Sequence, residues 1–258
     1  MKITEGKQSR PRRVLIYGDN GIGKSTLAAS FPKPLVINLE DGVGGIDVDA
    51  TERRTELAEV IGDVSWLIQN ENPYRTIVID TADWLEKLIF SEVAKKAGKT
   101  TVEEIGYGKG YELVEHNWRR LLNGLTMLWA SGRHIIFVCH SKVAKYKNPD
   151  GDSYDYHAPA MHDKGSEIVQ QWCDEVLFCH YRTLTRTVEE GYGNKRAIAV
   201  GGTERFICCQ EAATHVAKNR LGMPAEIPMS FEEYAKFLGN INGLVINGSS
   251  KIRSEVNV

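Results

Sequence analysis

Glycines recur at short intervals in the segment Gly18–Thr26, which reads GDNGIGKST. The segment fits the pattern G-x-x-x-x-G-K-[ST] without a mismatch. Glycine reaches left-handed conformations at little cost and lets backbone N–H groups approach a polyphosphate closely. We expect Lys24 to lie at the loop surface and reach the β- and γ-phosphates, and Ser25 to ligate Mg²⁺. The sequence therefore predicts a site for ATP and Mg²⁺ formed by Gly18, Asp19, Asn20, Gly21, Ile22, Gly23, Lys24, Ser25 and Thr26.

The segments on either side of this loop follow the order that the motif requires. Val14–Tyr17 is a short apolar run typical of a buried strand. Ser25–Phe31 has the composition of a helix, which Pro32 and Pro34 would end. A strand, a loop and a helix in this order make a chance glycine-rich turn a poor explanation, so the sequence predicts a chain that binds a nucleoside triphosphate.

Apolar strand-like segments alternate with helical ones over most of the chain. This alternation predicts an α/β fold with a mainly parallel central sheet and helices on both faces. The further predicted strands are Pro34–Leu39, Thr76–Asp80, His134–Cys139 and Glu175–Cys179, and the predicted helices include Thr55–Gln69, Trp84–Val93, Tyr111–Ala130 and Lys164–Trp172. Late in the core, Leu184–Val188 and Arg196–Val200 are predicted to form an antiparallel hairpin.

Composition narrows the class of protein. The 258 residues are 42% hydrophobic and 26% charged, as in an ordinary globular protein with a sizeable core. The formal net charge of −2 argues against a wholly basic nucleic-acid binder but leaves room for a local basic groove. We expect no signal peptide and no membrane span. The five cysteines form no C-x-x-C pair, so we expect free buried thiols, no zinc site and a reducing, cytoplasmic compartment.

Polar residues follow three of the predicted strands. Asp80 ends the third strand, where a carboxylate beside the phosphate loop would hold Mg²⁺ directly or through water. Glu40 follows the second strand and could activate the attacking water as a general base, with Asp41 as the competing candidate. His140 follows the fourth strand and could sense the γ-phosphate.

The order of phosphate loop, Glu40, Asp80 and His140 resembles the RecA-type ATPase core over roughly residues 14–228. Within that group the chain is most similar to the small phage RecA-like proteins classed as ATP-dependent single-strand annealing or recombination proteins. The resemblance implies that Glu40 is the catalytic base, that His140 is the γ-phosphate sensor, and that a disordered loop after His140 contacts single-stranded DNA. Little sequence precedes the first strand, so we expect the oligomerisation domain of larger recombinases to be missing, which argues against filaments of that kind.

A second similarity concerns the segment Ala217–Gly222, which reads AKNRLG. It resembles the K-x-R segment that RecA-type assemblies insert into a neighbouring ATP site. The resemblance implies that Lys218 and Arg220 stabilise charge on the γ-phosphate in trans, as an arginine finger does. It also implies a homo-oligomer with its ATP site at the subunit interface. A solvated basic turn is the alternative.

The stretch Ser141–His162 shows no periodicity and mixes cations with aromatic side chains. Cations suit phosphates and rings stack on bases, so we expect a DNA-binding loop without regular structure. A mobile surface loop is the alternative. The residues predicted to bind DNA are Lys142, Lys145, Tyr146 and Lys147.

These observations favour an ATPase that acts on single-stranded DNA in phage recombination or annealing and is stimulated by it. A motor or partitioning ATPase is the alternative, and a small-molecule kinase is less favoured because the candidate lid, Ser141–His162, carries no arginine. We divide the chain into a basic N-terminal arm (1–12), an ATPase core (13–239) and a flexible C-terminal tail (240–258).

Overall fold

The computed structural model describes residues 10–149, 151–190 and 194–239, with 183–190 and 194–201 described by their backbone alone. The predicted flexible tail therefore lies outside the described residues. The strands are β1 (Arg13–Gly18), β2 (Pro34–Asn38), β3 (Asp49–Ala50), β4 (Thr76–Asp80), β5 (His134–Tyr146), β6 (Tyr154–Pro159), β7 (Glu175–Glu190), β8 (Asn194–Cys208) and β9 (Glu226–Pro228). The helices are α1 (Lys24–Ala29), α2 (Leu57–Gln69), α3 (Ala82–Lys96), α4 (Lys109–Ala130), α5 (Asp163–Trp172) and α6 (Phe231–Ala235), with a 3₁₀ turn at Glu103–Ile105.

The strands form one sheet in the order β3-β2-β4-β5-β1-β7-β8-β9, with β6 paired to β5 outside this path. The six strands from β3 to β7 in this order run parallel to their neighbours. Strands β8 and β9 continue the sheet in antiparallel pairing. The mixed α/β fold with a mainly parallel sheet is therefore confirmed, and so is the antiparallel hairpin late in the core.

Helices cover both faces of the sheet because the parallel strands carry apolar side chains on both sides. On one face, Trp118 of α4 and Leu85 of α3 are fully buried within a large core that also includes α2 and α5. On the other face, Leu27 of α1 and Tyr234 of α6 pack in a smaller core. The described helices include none with both the length and the apolar composition that a bilayer crossing requires.

The prediction of an irregular loop over Ser141–His162 is wrong. Strand β5 continues past His140 to Tyr146, and β6 pairs with it in antiparallel register, with Ser141 opposite Pro159 and Tyr146 opposite Tyr154. The sequence between the two strands contains Asn148, Pro149 and Gly151, which are residues typical of a tight turn. Val, Tyr and Ala on either side of that turn form a hairpin that periodicity alone did not reveal.

The first described residues pack against the core. The carbonyl oxygen of Pro11 accepts a 2.7 Å hydrogen bond from Nε1 of Trp129 on α4. Arg12 is 7% exposed and donates to Glu175, which is fully buried at the start of β7. Arg12 therefore lies within the folded core, although our division assigned it to the N-terminal arm.

Candidate active site

Four adjacent strands bring their carboxyl ends together at one edge of the sheet. Asn38 of β2 is paired with Asp80 of β4, and Asp80 is paired with Val138 of β5. On the far side of β5, His140 is paired with Gly18, where β1 gives way to the phosphate loop. The residues that follow these strands are thereby placed side by side, as the order of the predicted strands required.

The phosphate loop has the conformations for which its glycines were expected. Gly21 has φ 75° and Gly23 has φ 101°, which are left-handed values that other residues rarely adopt. Gly18 serves a different purpose, because a Cβ at this position would collide with the backbone carbonyl of Cys179 on the adjacent strand β7. Helix α1 then begins at Lys24. The shape of the loop therefore depends on its glycines and on the close approach of its backbone to β7.

Lys24 differs from the expected surface position. It is 6% exposed, and its Nζ donates to the carbonyl oxygens of Gly18 at 3.0 Å and Asp19 at 2.8 Å. Burial lowers the pKa of this ammonium group, although nearby carboxylates including Asp80 oppose the shift. A lysine can curl over its own loop in this way because its four-carbon stem is flexible. Carbonyl oxygens are neutral acceptors, so a phosphate oxygen would be a stronger partner.

Ser25 and Asp80 supply the oxygen ligands that Mg²⁺ prefers. Asp80 is 4% exposed, and the side chain of Ser25 favours its charged form. Burial raises the pKa of Asp80, and the neighbouring Glu40 adds to that rise. A hydroxyl and a desolvated carboxylate beside a phosphate loop fit a magnesium ion, because its charge would relieve the burial of Asp80.

His140 lies between two carboxylates. Its Nδ1 is 2.9 Å from Oδ2 of Asp83, and its backbone N–H donates to Oδ1 of the same residue at 3.2 Å. On the other side of the ring, Nε2 is 3.6 Å from Oε2 of Glu40. The hydrogen bond to Asp83 raises the pKa of His140. Both carboxylates therefore favour the imidazolium form of His140, and its Nε2 faces Glu40.

Glu40 and Asp41 have different surroundings. Oε2 of Glu40 accepts a 3.3 Å hydrogen bond from the hydroxyl of Thr81, next to Asp80. Asp41 is exposed with φ 66°, and its backbone N–H donates to Oδ1 of Asn38. Asp41 thus shapes the turn after β2, whereas Glu40 reaches the cluster at the sheet edge.

Sequence reasoning missed two residues of this site. Asp83 lies three residues after Asp80, in the first turn of α3, where an acidic residue is ordinary, so nothing in the sequence indicated its contact with His140. Arg205 of β8 donates from NH1 to the carbonyl oxygen of Ile22, at 3.0 Å, inside the phosphate loop. Its position depends on the register of a long hairpin, which local sequence does not fix.

The other predicted site residues lie away from this cluster. Lys145, Tyr146 and Lys147 are exposed at the end of β5, whereas Nζ of Lys142 donates to the carbonyl oxygen of Met161 at 2.6 Å and to Asp163 at 3.1 Å. In the K-x-R segment, Nζ of Lys218 donates to three backbone carbonyls at the end of α5.

Arg220 pairs with Asp174 at 3.1 Å, and Asp174 adjoins Arg13 at the opposite end of β1 from the loop. The trans-acting role of Lys218 and Arg220 stays a prediction.

All five cysteines are buried free thiols. Cys208 lies close to His180 and Glu226, with their ligand atoms within 4.8 Å of one another. Oε1 of Glu226 already accepts a 2.6 Å hydrogen bond from Arg182, and Oε2 lies 3.2 Å from His180. These partners account for the carboxylate as part of an ion-pair network.

The parallel sheet, the glycine loop that follows β1 and the Ser25–Asp80 pair define a P-loop ATPase, a class of proteins that binds nucleotide, typically with Mg²⁺. The comparison with protein families agrees, since the model of a family described as AAA domain matches residues 10–221. The chain belongs to this AAA domain family. No curated protein matches the chain.

Proposed function

We propose that this ATPase acts on single-stranded DNA in phage recombination or annealing, and that ATP turnover is coupled to DNA contact through strand β5. The continuity of β5 carries the proposal. The strand passes His140, which contacts Asp83, and six residues later reaches the exposed Tyr146. At about 3.3 Å per residue the two positions are roughly 20 Å apart along one rigid strand. Strand β5 also contacts the phosphate loop directly next to His140, because the hydroxyl of Ser141 donates to Asp19.

In the proposed hydrolysis, the loop and Lys24 hold the phosphates, and Glu40 accepts a proton from the attacking water at its Oε2. Thr81 and His140 flank that oxygen and fix its position. Asp83 holds the His140 ring through Nδ1 and thereby directs Nε2 toward Glu40. Mg²⁺ held by Ser25 and Asp80 would neutralise charge on the phosphates.

The tip of the β5–β6 hairpin has the composition of a stacking surface for bases. Tyr146 is 45% exposed and Tyr154 is 38% exposed, and their ring centroids are 5.0 Å apart. Exposed Lys145 and Lys147 flank Tyr146 and would meet phosphates. The ammonium group of Lys142 already donates to the carbonyl oxygen of Met161. We therefore assign DNA contact to Lys145, Tyr146 and Lys147.

The decisive test measures ATP hydrolysis with and without single-stranded DNA. We expect stimulation for the wild-type chain, no turnover for Lys24→Ala, and lost stimulation for the double variant Lys145→Ala/Lys147→Ala. The matched control is Lys95→Ala/Lys96→Ala, which removes two exposed lysines at the C-terminal end of α3. The hairpin variant should also lower the slope of log K for DNA against log salt by about 1.4, since each single-strand contact contributes about 0.7. If the wild-type chain hydrolyses ATP at the same rate with and without DNA, the DNA role is wrong and a motor or partitioning ATPase is favoured.

We also propose that Arg220 acts on a neighbouring subunit. Its partner Asp174 adjoins Arg13, five residues from Gly18 along β1, so roughly 17 Å of strand separates Arg220 from its own loop. The Arg220 side chain is 49% exposed and available at the surface. Mixing Lys24→Ala with Arg220→Ala should restore part of the ATPase activity, because some interfaces then pair an intact loop with an intact arginine. Mixtures that assemble without recovering activity would count against action in trans.

A further inference from the structure

Arg205 approaches the phosphate loop from the flank opposite Asp80. Strand β8 lies two strands beyond β1 on one side, whereas β4 and β2 lie beyond it on the other. The carboxylates Asp80 and Glu40 therefore occupy one flank of the loop, and the guanidinium of Arg205 occupies the other. Its donation to the carbonyl oxygen of Ile22 is a 3.0 Å contact.

The guanidinium of Arg205 lies directly against the loop at Gly23. A Cβ at Gly23 would lie 2.5 Å from NH1 of Arg205, closer than real Cβ contacts come. The methyl group of Met229 borders the same position at 3.9 Å. The backbone of Arg205 is fixed from two sides, because it is paired with Tyr181 of β7 and its carbonyl oxygen accepts from the N–H of Met229 at 2.9 Å. An exposed cation is thus held on the loop by a rigid sheet.

We infer that Arg205 binds the phosphates of ATP in cis. Ile22 offers its guanidinium a single neutral carbonyl oxygen, whereas a phosphate offers negatively charged oxygens that can accept bidentate hydrogen bonds. Arginine suits this task because its planar fork matches phosphate oxygens and always carries charge. The phosphates would then contact two cations: Lys24, which belongs to the loop, and Arg205, which lies on the side away from the metal ligands. This inference rests on the nucleotide binding of the proposed function and is independent of its DNA step.

The experiment compares Arg205→Gln with Arg205→Ala in equilibrium titrations with ATP and with inorganic tripolyphosphate. Glutamine can still donate to the Ile22 carbonyl but carries no charge. If Arg205 binds phosphate, both variants lose about 10- to 100-fold in affinity for both probes, as expected for a hydrogen bond to a charged group. The matched control Arg182→Ala removes a nearby arginine on β7 that pairs with Glu226, and should bind both probes as the wild-type chain does.

Three results would overturn the inference. Wild-type affinity in Arg205→Gln would mean that Arg205 only stabilises the loop and does not bind phosphate. A loss for ATP without a loss for tripolyphosphate would move the contact to the nucleoside. An equal loss of affinity in Arg182→Ala would mean that binding depends on the total positive charge near the loop and not on a contact made by Arg205. Failure of the wild-type chain itself to bind ATP would instead refute the proposed function, which keeps the two conclusions separate.

Discussion

Strand β5 carries one histidine toward each edge of the parallel sheet, and the two have opposite electrostatic character. His134, at the amino edge, is 4% exposed, and burial together with nearby Arg12 lowers its pKa to about 4. Its Nδ1 accepts a hydrogen bond from the backbone N–H of Arg12. His140, at the carboxyl edge, has a raised pKa because it is hydrogen-bonded to Asp83. One histidine is thus a neutral structural acceptor, and the other lies between two carboxylates that favour its charged form.

The buried carboxylates at the two edges differ in the same way. At the amino edge Asp174 and Glu175 are fully buried, and arginines pair with both of them. At the carboxyl edge Asp80 and Glu40 lie near Lys24 and His140, and neither carboxylate has an arginine partner among the described ion pairs. A buried charge with its partner is tolerated within a fold, whereas carboxylates without an arginine partner are expected where a metal ion and phosphates bind.

The largest expected effect concerns the carboxyl edge. Glu40→Gln should keep ATP bound but slow hydrolysis by about 10²–10⁴, because the amide preserves shape and cannot accept the proton. Single-turnover hydrolysis and ATP affinity, measured on the same samples, check this. Asp41→Asn is the control, since Asp41 shapes the turn. The reverse outcome, with the loss in Asp41→Asn and not in Glu40→Gln, would exchange the two roles.

At the amino edge the expected effect falls on stability. Arg12→Ala should lower the free energy of unfolding by about 3–5 kcal/mol, because it leaves the buried charge of Glu175 without its arginine. Urea unfolding measures this, and the KM for ATP of the folded protein should not change. The double variant Arg12→Met/Glu175→Leu should recover much of the loss. A changed KM in Arg12→Ala would show that the two edges are not independent.

A smaller effect is expected when His140 loses its orienting carboxylate. Asp83→Asn should lower the pKa of His140 and reduce ATP turnover by about 10- to 100-fold, in line with carboxylates that orient functional histidines. NMR titration of the His140 ring measures the first effect, which general destabilisation would not produce. Asp63→Asn on α2 is the matched control. If the His140 titration is the same in Asp83→Asn as in the wild-type chain, Asp83 does not set its charge.

The contrast between the edges also shows what sequence could predict. The strands and their carboxyl ends follow from apolar runs such as Thr76–Asp80, because those runs are local and the sheet aligns their ends. The β5–β6 hairpin was missed although its turn residues were visible, because alternation on a half-exposed ribbon is weak. Asp83 and Arg205 could not be found, since each acts through a partner more than 50 residues away. Such contacts depend on register and packing, which local patterns do not encode.

The last prediction concerns Glu86, a buried carboxylate near the carboxyl edge that has no arginine partner among the described contacts. Glu86 of α3 is 7% exposed, accepts a 2.6 Å hydrogen bond from the N–H of His162, and has its pKa raised to about 7, chiefly by burial. A raised carboxyl pKa means that the folded state binds the proton more tightly than the unfolded state, so stability falls as pH rises from about 4.5 to 7. Glu86→Gln resembles the protonated acid and should not show this loss. Between pH 5 and pH 8 the wild-type chain should therefore lose roughly 2–3 kcal/mol more stability than Glu86→Gln, at about 1.4 kcal/mol per pKa unit. Urea unfolding of both proteins at the two pH values measures the difference, in which the opposite contribution of His134 cancels. Parallel pH dependence in the two proteins would mean that the pKa of Glu86 is not raised in the folded protein.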